Sequence, residues 1–283
     1  IVAAPVGAAA TPAPATSPAP AVDRWTTPLG ILAFILASAL TYAFLDPTFG
    51  FSLNSVATFA GIALGLVVVL LAYGIPLIWF SRTGGLALSV RALPETLLVA
   101  IICVVISRVV NFQPGYLYGL VIGFFFATNI PRDKEGRAEA TAAAGSLLVA
   151  FFAWVGLALL RGGAGAADES LVTATLEAAS VTIVVAGLEN AVFAMLPLRF
   201  LPGSAVYAWD RRVWAVLIGL GLFGFAHVLL NPSAGYLADT TRTSFFTLLV
   251  LLIGFGATSV AFWGWFRFRP QRVTAEPPPG PAA

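Results

Sequence analysis

The stretch Ser55–Phe80, SVATFAGIALGLVVVLLAYGIPLIWF, decides the fold of this chain. It runs for 26 residues without a charged side chain, and most of its residues are aliphatic or aromatic. A helix that crosses the hydrocarbon core of a bilayer needs about 20 apolar residues. The stretch therefore predicts a transmembrane helix.

The same character extends over most of the 283 residues, of which 59% are hydrophobic and 10% charged, whereas a typical soluble domain is about 25% charged. Apolar runs predict eight spans: Pro28–Leu45, Ser55–Phe80, Thr96–Val110, Gly115–Asn129, Thr141–Leu160, Leu171–Leu198, Val213–Leu230 and Ser244–Arg267. We therefore expect an all-α fold, a polytopic transmembrane helical bundle of about eight spans. The third and fourth runs are short, and they are interpreted either as two short crossings or as one re-entrant hairpin shielded by other helices.

Composition divides the chain into three parts. Residues 1–27 are rich in Ala and Pro and predict a disordered segment, because proline fixes φ and removes a donor. Residues 28–270 form the predicted transmembrane domain, and residues 271–283 form a second disordered tail. The chain begins with Ile, which predicts a processed or truncated piece with a domain missing upstream.

The basic residues predict the orientation in the membrane. When alternate loops are assigned to alternate sides, twelve of the fifteen Lys and Arg residues fall on one side, and Arg108, Arg161 and Arg242 fall on the other. Because basic loops stay in the cytoplasm, we expect both termini on the cytoplasmic side of a plasma membrane. The fourteen Arg against one Lys are typical of GC-rich coding, which indicates an actinobacterial source.

Two pairs of short motifs suggest an internal repeat. Pro76 to Phe80 ends the second predicted span, and Pro197 to Phe200 ends the sixth. A Gly-Tyr-Leu follows each proline after about 39 residues, at Gly115 and at Gly235. The pattern predicts two parallel four-helix repeats, an arrangement known among transporters; the alternative is coincidence among common loop residues.

Four ionisable residues lie within the predicted spans, where a charge is costly and faces a protein interior or a cavity. Arg108, Glu177 and His227 are expected in one outer layer, in which Glu177 pairs with Arg108 or accepts a hydrogen bond from His227. The alternative for Arg108 is that it snorkels to the interface. His227 is interpreted as a packing residue or as a functional one.

Glu189 and its neighbour Asn190 are expected about 18 Å deeper along the sixth span, at 1.5 Å per residue. They would need partners such as Thr182, Ser204 or an arginine near the inner face. The functional interpretation of this pair is a proton- or ion-handling site, and the structural one is a polar contact that joins two helices.

The most distinctive stretch follows Glu189. Phe193-Ala-Met-Leu-Pro197 resembles the motif of the FGLLP motif-containing membrane proteins of actinobacteria, with Ala for Gly and Met for Leu. The continuation, which includes Arg199 and Pro202, is similar to that family as well. The resemblance implies a multi-pass membrane protein over roughly residues 28–270, and it supplies no catalytic residue.

A second, partial resemblance is to the CAAX-processing-protease-like membrane proteins. Phe223 to His227 matches FxxxH, and His227 to Asn231 matches HxxxN. That family needs two acids and two separate histidines, whereas this chain has one histidine and carries Ala194 at the position of the family's arginine. The site is therefore not expected to assemble as the family builds it.

These observations favour a non-enzymatic function. One Cys and one His exclude disulfide frameworks and multi-Cys or multi-His zinc sites, and a net charge of +2 does not indicate nucleic acid. We expect no metal and no cofactor. The leading hypothesis is a membrane anchor or scaffold for a partner complex or for a missing N-terminal domain, with the lipid bilayer and a protein partner or a second copy as partners. The alternatives are a small-solute or proton-coupled transporter that uses Glu189, and a divergent membrane hydrolase.

One charged segment is relevant to the scaffold hypothesis. Residues 131–139 mix both signs and are expected to form a solvated loop before the fifth helix, or a docking surface.

Overall fold

A computed structural model of the chain describes residues 24–46, 48–85, 87–109, 122–126, 130–163, 170–198 and 201–229. This part is mostly helical, as the all-α prediction expects. Its elements are α1 (Pro28–Ala43), α2 (Leu53–Gly84), β1 (Leu88–Ala92), α3 (Pro94–Val109), β2 (Ile122–Phe126), α4 (Arg132–Gly163), α5 (Leu171–Ala194), α6 (Gly203–Trp209) and α7 (Arg211–Gly224), which is followed by a π-helical turn (Phe225–Leu229).

Hydroxyl caps set the beginnings of three of these helices. Thr27, Ser52 and Ser170 precede α1, α2 and α5, and the side chain of each accepts a hydrogen bond from the backbone N–H three residues further on. Such bonds satisfy donors that the first turn of a helix leaves free. At its other end α2 stops at Gly85, whose φ of 64° is the left-handed conformation that glycine adopts readily.

The centre of the bundle is the contact between α2 and α5, which run parallel. Gly61 of α2 faces the turn of α5 at Thr175 and Ala179, and Gly65 faces the next turn, at Thr182. A Cβ atom on Gly65 would lie 2.7 Å from the Cβ atom of Thr182, so a glycine is needed there. Small residues allow this close approach of two helix backbones in a membrane.

α4 packs antiparallel to both of these helices. Gly145 of α4 lies against Ala72 of α2, and Gly187 of α5 lies against Ser146 and Ala150 of α4. α7 packs against both α4 and α5: Leu217 lies in a cluster with Ala140 and Ala143 of α4, and Gly221 and Gly224 approach α5. The core between these helices is therefore filled mainly by small side chains.

Large apolar side chains point away from this core. Leu29, Ile75 and Phe152 are examples, with exposed fractions of 76%, 58% and 62%. Four described helices are long and apolar enough to cross a membrane: Leu53–Gly84, Arg132–Gly162, Leu171–Ala194 and Arg211–Val228. Pro28–Ala43 is a shorter apolar helix. The described residues thus contain four candidate spans, and the predicted number of about eight spans is not confirmed. The predicted span Ser244–Arg267 lies outside the described residues.

The predicted helix Gly115–Asn129 is wrong where the structure describes it. Residues Ile122–Phe126 form strand β2, which pairs antiparallel with β1, and Phe124 lies opposite Val90. The aromatic residues favour a strand, and the Phe124 ring packs against Gly74 of α2. A short apolar run does not distinguish a buried strand from a helix. β1 follows α2 in the chain, and α3 comes next. The pairing shows that the chain then returns, so that β2 lies beside β1 near the end of α2.

The segment 131–139 is not a loop, because α4 already begins at Arg132 and its first turns carry these charges. α5 ends at Ala194, before the predicted end at Leu198. Residues 1–23 and 271–283 of the predicted tails lie outside the described residues, and Arg24–Thr26 form a 3-10 turn before α1.

Candidate intramembrane polar site

Asn190 contacts a neighbouring helix through a buried hydroxyl group. Its Nδ2 atom donates a hydrogen bond to Ser146 Oγ of α4 over 3.3 Å, and Ser146 is only 1% exposed. Thr182 and Ser204, which the sequence suggests as partners of this pair, form their hydrogen bonds elsewhere. Their hydroxyls donate to the carbonyl oxygens of Ala178 and Leu201. The prediction of those two partners is therefore wrong.

Glu189 is half-buried in α5 and does not share the contact of Asn190. Within the described part of the chain its carboxylate makes neither a hydrogen bond nor an ion pair. Glu189 and Asn190 are consecutive, so their side chains lie about 100° apart around the helix. Asn190 therefore faces α4, and Glu189 points about a quarter of a turn away from that contact.

A second interior acid is Glu139 of α4, which the apolar runs of the sequence do not include. It is 5% exposed and accepts a hydrogen bond from the Tyr73 hydroxyl of α2. The available signal was its spacing from Ala142, Ala143 and Ser146, at three, four and seven residues, which is one face of a helix. The charges that precede Glu139 concealed this pattern.

Glu177 is paired with Arg161, and not with either of the partners that the sequence predicts. Arg161, near the end of α4, donates from Nε to Glu177 Oε1 over 2.7 Å and from Nη2 over 2.6 Å. The two side chains are 38% and 41% exposed. The predicted pairing of Glu177 with Arg108 or His227 is therefore wrong: Arg161 is adjacent in space because α4 and α5 are antiparallel neighbours.

Arg108 caps the carboxyl end of another helix. Its Nε atom donates a hydrogen bond over 2.8 Å to the carbonyl oxygen of Phe44, the C-cap residue that directly follows α1. A basic side chain is favourable at this end of a helix because it complements the helix dipole. The side chain of Arg108 is thus held by a hydrogen bond to the carboxyl end of α1 and not by an ion pair with an acidic residue.

His227 lies on the π-helical turn and is exposed. Its ring stacks on Phe223, with centroids 5.6 Å apart and an interplanar angle of 4°. Among the described residues it is hydrogen-bonded to neither Glu177 nor Glu189, and no group of three potential metal ligands is found there. The described geometry provides no nucleophile paired with a base.

The motif from Phe193 to Pro197 forms the turn that ends α5. Met195 is fully buried at this turn, and its carbonyl oxygen accepts a hydrogen bond from Trp214 Nε1 of α7 over 2.8 Å. Pro197 follows in an exposed position, and Pro202 precedes α6. Arg199 lies outside the described residues. The motif therefore has a structural role here, because it joins α5, α6 and α7.

Comparison of the chain with protein families, curated proteins and solved structures gave no match. The resemblances to the FGLLP group and to the CAAX-processing-protease-like proteins therefore stay predictions. The described site offers two carboxylates that can bind protons: that of Glu139, which accepts a hydrogen bond from Tyr73, and that of Glu189, which has no hydrogen-bond partner among the described residues.

Proposed function

We propose that the chain is a multi-pass protein of a bacterial plasma membrane and that it acts as a scaffold for a protein partner at the cytoplasmic face. The observation that carries this proposal is the length of α4. At 32 residues it is about 48 Å long, whereas a hydrocarbon core is about 30 Å thick. Its charged first turns therefore extend beyond the membrane as an ordered element.

The projecting part of α4 is held in place by α6. Gly136 packs directly against Ala205 and Trp209, and the Arg137 guanidinium lies 5.6 Å from the centre of a Trp209 ring. A cation over an aromatic face is attracted to it. The charged turns thus form a preorganised surface, and such a surface loses less entropy when a partner binds.

A depression of about 230 Å³ lies beside these turns. Its lining includes three large apolar side chains, Phe80, Phe126 and Ile130, and three charged ones, Lys134, Glu135 and Arg137. Protein interfaces commonly combine an apolar centre with a polar rim. The depression therefore suits an anchoring side chain of a partner, with charged groups around it.

The experiment compares two charge reversals on the same side of the bundle. Lys134→Glu alters the rim of the depression, and Glu95→Lys alters an exposed position at the start of α3, outside it. The tagged chain is cross-linked in its native membrane and purified. We expect Lys134→Glu to lose a partner that the wild type and Glu95→Lys retain. Identical cross-linked species in all three proteins would contradict the proposal.

Glu189 supports a second candidate, a proton-coupled or small-solute transporter. A half-buried carboxylate without a counter-charge among the described residues is a group that can take up and release a proton. Intramembrane acids commonly mark such pathways.

The transport candidate is also supported by the spacing of the helices, which fits the predicted pair of parallel repeats, an arrangement known among transporters. The ends of α1 and α4 (Ala43 and Gly163) are 120 residues apart, and the starts of α2 and α5 (Leu53 and Leu171) are 118 apart. The starts of α3 and α7 are 117 apart. The corresponding helices α2 and α5 also run parallel, as helices related by an axis along the membrane normal would.

Proton flux in liposomes tests the transport candidate. The full chain is reconstituted with a pH-sensitive dye inside, and a potassium diffusion potential drives the flux. We expect Glu189→Gln to reduce the flux to that of empty liposomes. Glu177→Gln is the control, because it removes an exposed acid of the same helix. Equal flux in wild-type and empty liposomes would remove the transport candidate.

A further inference from the structure

A groove of about 490 Å³ lies between α1 and α3, and its lining includes Arg108 but not Glu189 or Asn190. Its size is within the range of about 300–1,000 Å³ that is typical of ligand pockets. The lining is apolar apart from one hydroxyl and one guanidinium group: it consists of Leu40, Thr41, Phe44, Ile101, Val104, Val105, Arg108 and Val109. The Thr41 hydroxyl donates to the Ala37 carbonyl oxygen over 2.8 Å, so it is already satisfied.

The groove opens on the outer surface of the helical bundle. Leu40 and Ile101 are each 45% exposed, and Val105 is 55% exposed. In a membrane this surface faces acyl chains and not water. A flexible hydrocarbon chain is therefore the occupant that matches the lining.

Arg108 stands at one end of the groove with part of its guanidinium group unused. Nε is held by the carbonyl oxygen of Phe44, and within the described residues the two Nη atoms have no hydrogen-bond partner. Arginine is always charged, and its terminal N–H groups match the oxygen atoms of a phosphate. The contact with Phe44 fixes the side chain, so the charge stays next to the apolar groove.

From these two features we propose that the groove binds one anionic phospholipid. One acyl chain lies between α1 and α3, and the phosphate binds the Nη atoms of Arg108. The charge of the arginine favours an anionic lipid over a zwitterionic one, because a zwitterionic headgroup carries its own cation. This proposal does not depend on the scaffold or transport function.

The test measures how many lipids stay bound to the full chain. The protein is purified, incubated with equal amounts of phosphatidylglycerol and phosphatidylcholine of identical acyl chains, and examined by native mass spectrometry. We expect one retained phosphatidylglycerol. We expect Arg108→Gln to reduce the preference about fivefold, the effect of one basic residue near an anionic lipid surface.

Arg161→Gln is the matched control, because Arg161 is also near a helix end but is already paired with Glu177. It should leave the preference unchanged. A groove-filling variant, Val105→Trp, should reduce the retention of both lipids, and its melting temperature shows whether it is folded. Glycerol phosphate, which has the headgroup chemistry without acyl chains, should not displace the lipid.

Three results would overturn the proposal. The first is equal retention of the two lipids by the wild type. The second is an equal loss in Arg108→Gln and Arg161→Gln, which would indicate a general surface charge. The third is displacement by glycerol phosphate, which would indicate a simple anion site without a role for the groove.

Discussion

The Tyr73 hydroxyl donates a hydrogen bond to the Glu139 carboxylate, and this contact joins α2 to α4 inside the bundle. Both groups are polar, and neither sequence position lies in a recognised motif. A carboxylate buried in this way is costly unless it has a partner. The hydrogen bond from Tyr73 therefore offsets part of the free-energy cost of burying the Glu139 carboxylate on the packed face of α4.

Tyr73→Phe is expected to destabilise the folded chain by about 1–3 kcal/mol, because it leaves a buried acceptor without its donor. Glu139→Gln should cost less, since the amide oxygen still accepts the bond. The free energy of unfolding in mixed micelles measures both. Asp133→Asn, at an exposed position of the same helix, is the control, and a comparable loss in that variant would contradict the prediction.

Gly65→Ala is expected to separate α2 from α5 and to cost about 1–3 kcal/mol, as overpacking of a close contact does. The added methyl group would lie 2.7 Å from the Cβ atom of Thr182. Gly219→Ala is the matched control, because nothing lies within 4 Å of a Cβ atom there. Thermal melts compare the two variants, and equal melting temperatures would argue against the tight contact.

Trp214→Phe is expected to loosen the turn at Met195 and to cost about 1 kcal/mol, the net worth of a typical hydrogen bond. The aromatic ring remains, so the lost group is the Nε1 donor. Trp79→Phe is the comparison, since Trp79 is 60% exposed. If the two substitutions have the same effect on unfolding, the bond to Met195 contributes nothing measurable.

The proposed orientation predicts which cysteine substitutions a membrane-impermeant reagent labels. In a Cys103→Ser background, Lys134→Cys and Arg212→Cys should react only in inside-out vesicles. Val172→Cys, at an exposed position where α5 begins, should react in intact cells. Labelling of Lys134→Cys and Arg212→Cys from opposite sides would disprove the topology.

Helix positions were predictable where the bilayer dictates length. α1 begins at Pro28 and α5 at Leu171, the residues at which the apolar runs begin, because Thr27 and Ser170 cap them. These signals are local in the chain. They depend on composition and on one hydroxyl group, and both can be read from the sequence.

Pairings between helices were not predictable in the same way. The partner of Glu177 is Arg161, which follows the apolar run Thr141–Leu160 directly and so is not among the charges within apolar runs. Its position depends on the register of α4 against α5, which Gly187 sets by close contact. The helix prediction for Ile122–Phe126 is wrong for a related reason: these residues form a strand whose partner, β1, is distant in the sequence.

The parallel contact of α2 with α5 affects how the chain must be made. The ribosome synthesises Gly61 and Gly65 well before Thr175 and Thr182. During that interval the glycine surface of α2 lacks the helix against which it packs in the folded chain. Insertion into the membrane and assembly of the bundle are therefore separate events in time. A nascent chain arrested before α5 would leave that surface open to the translocon or to a chaperone in the bilayer.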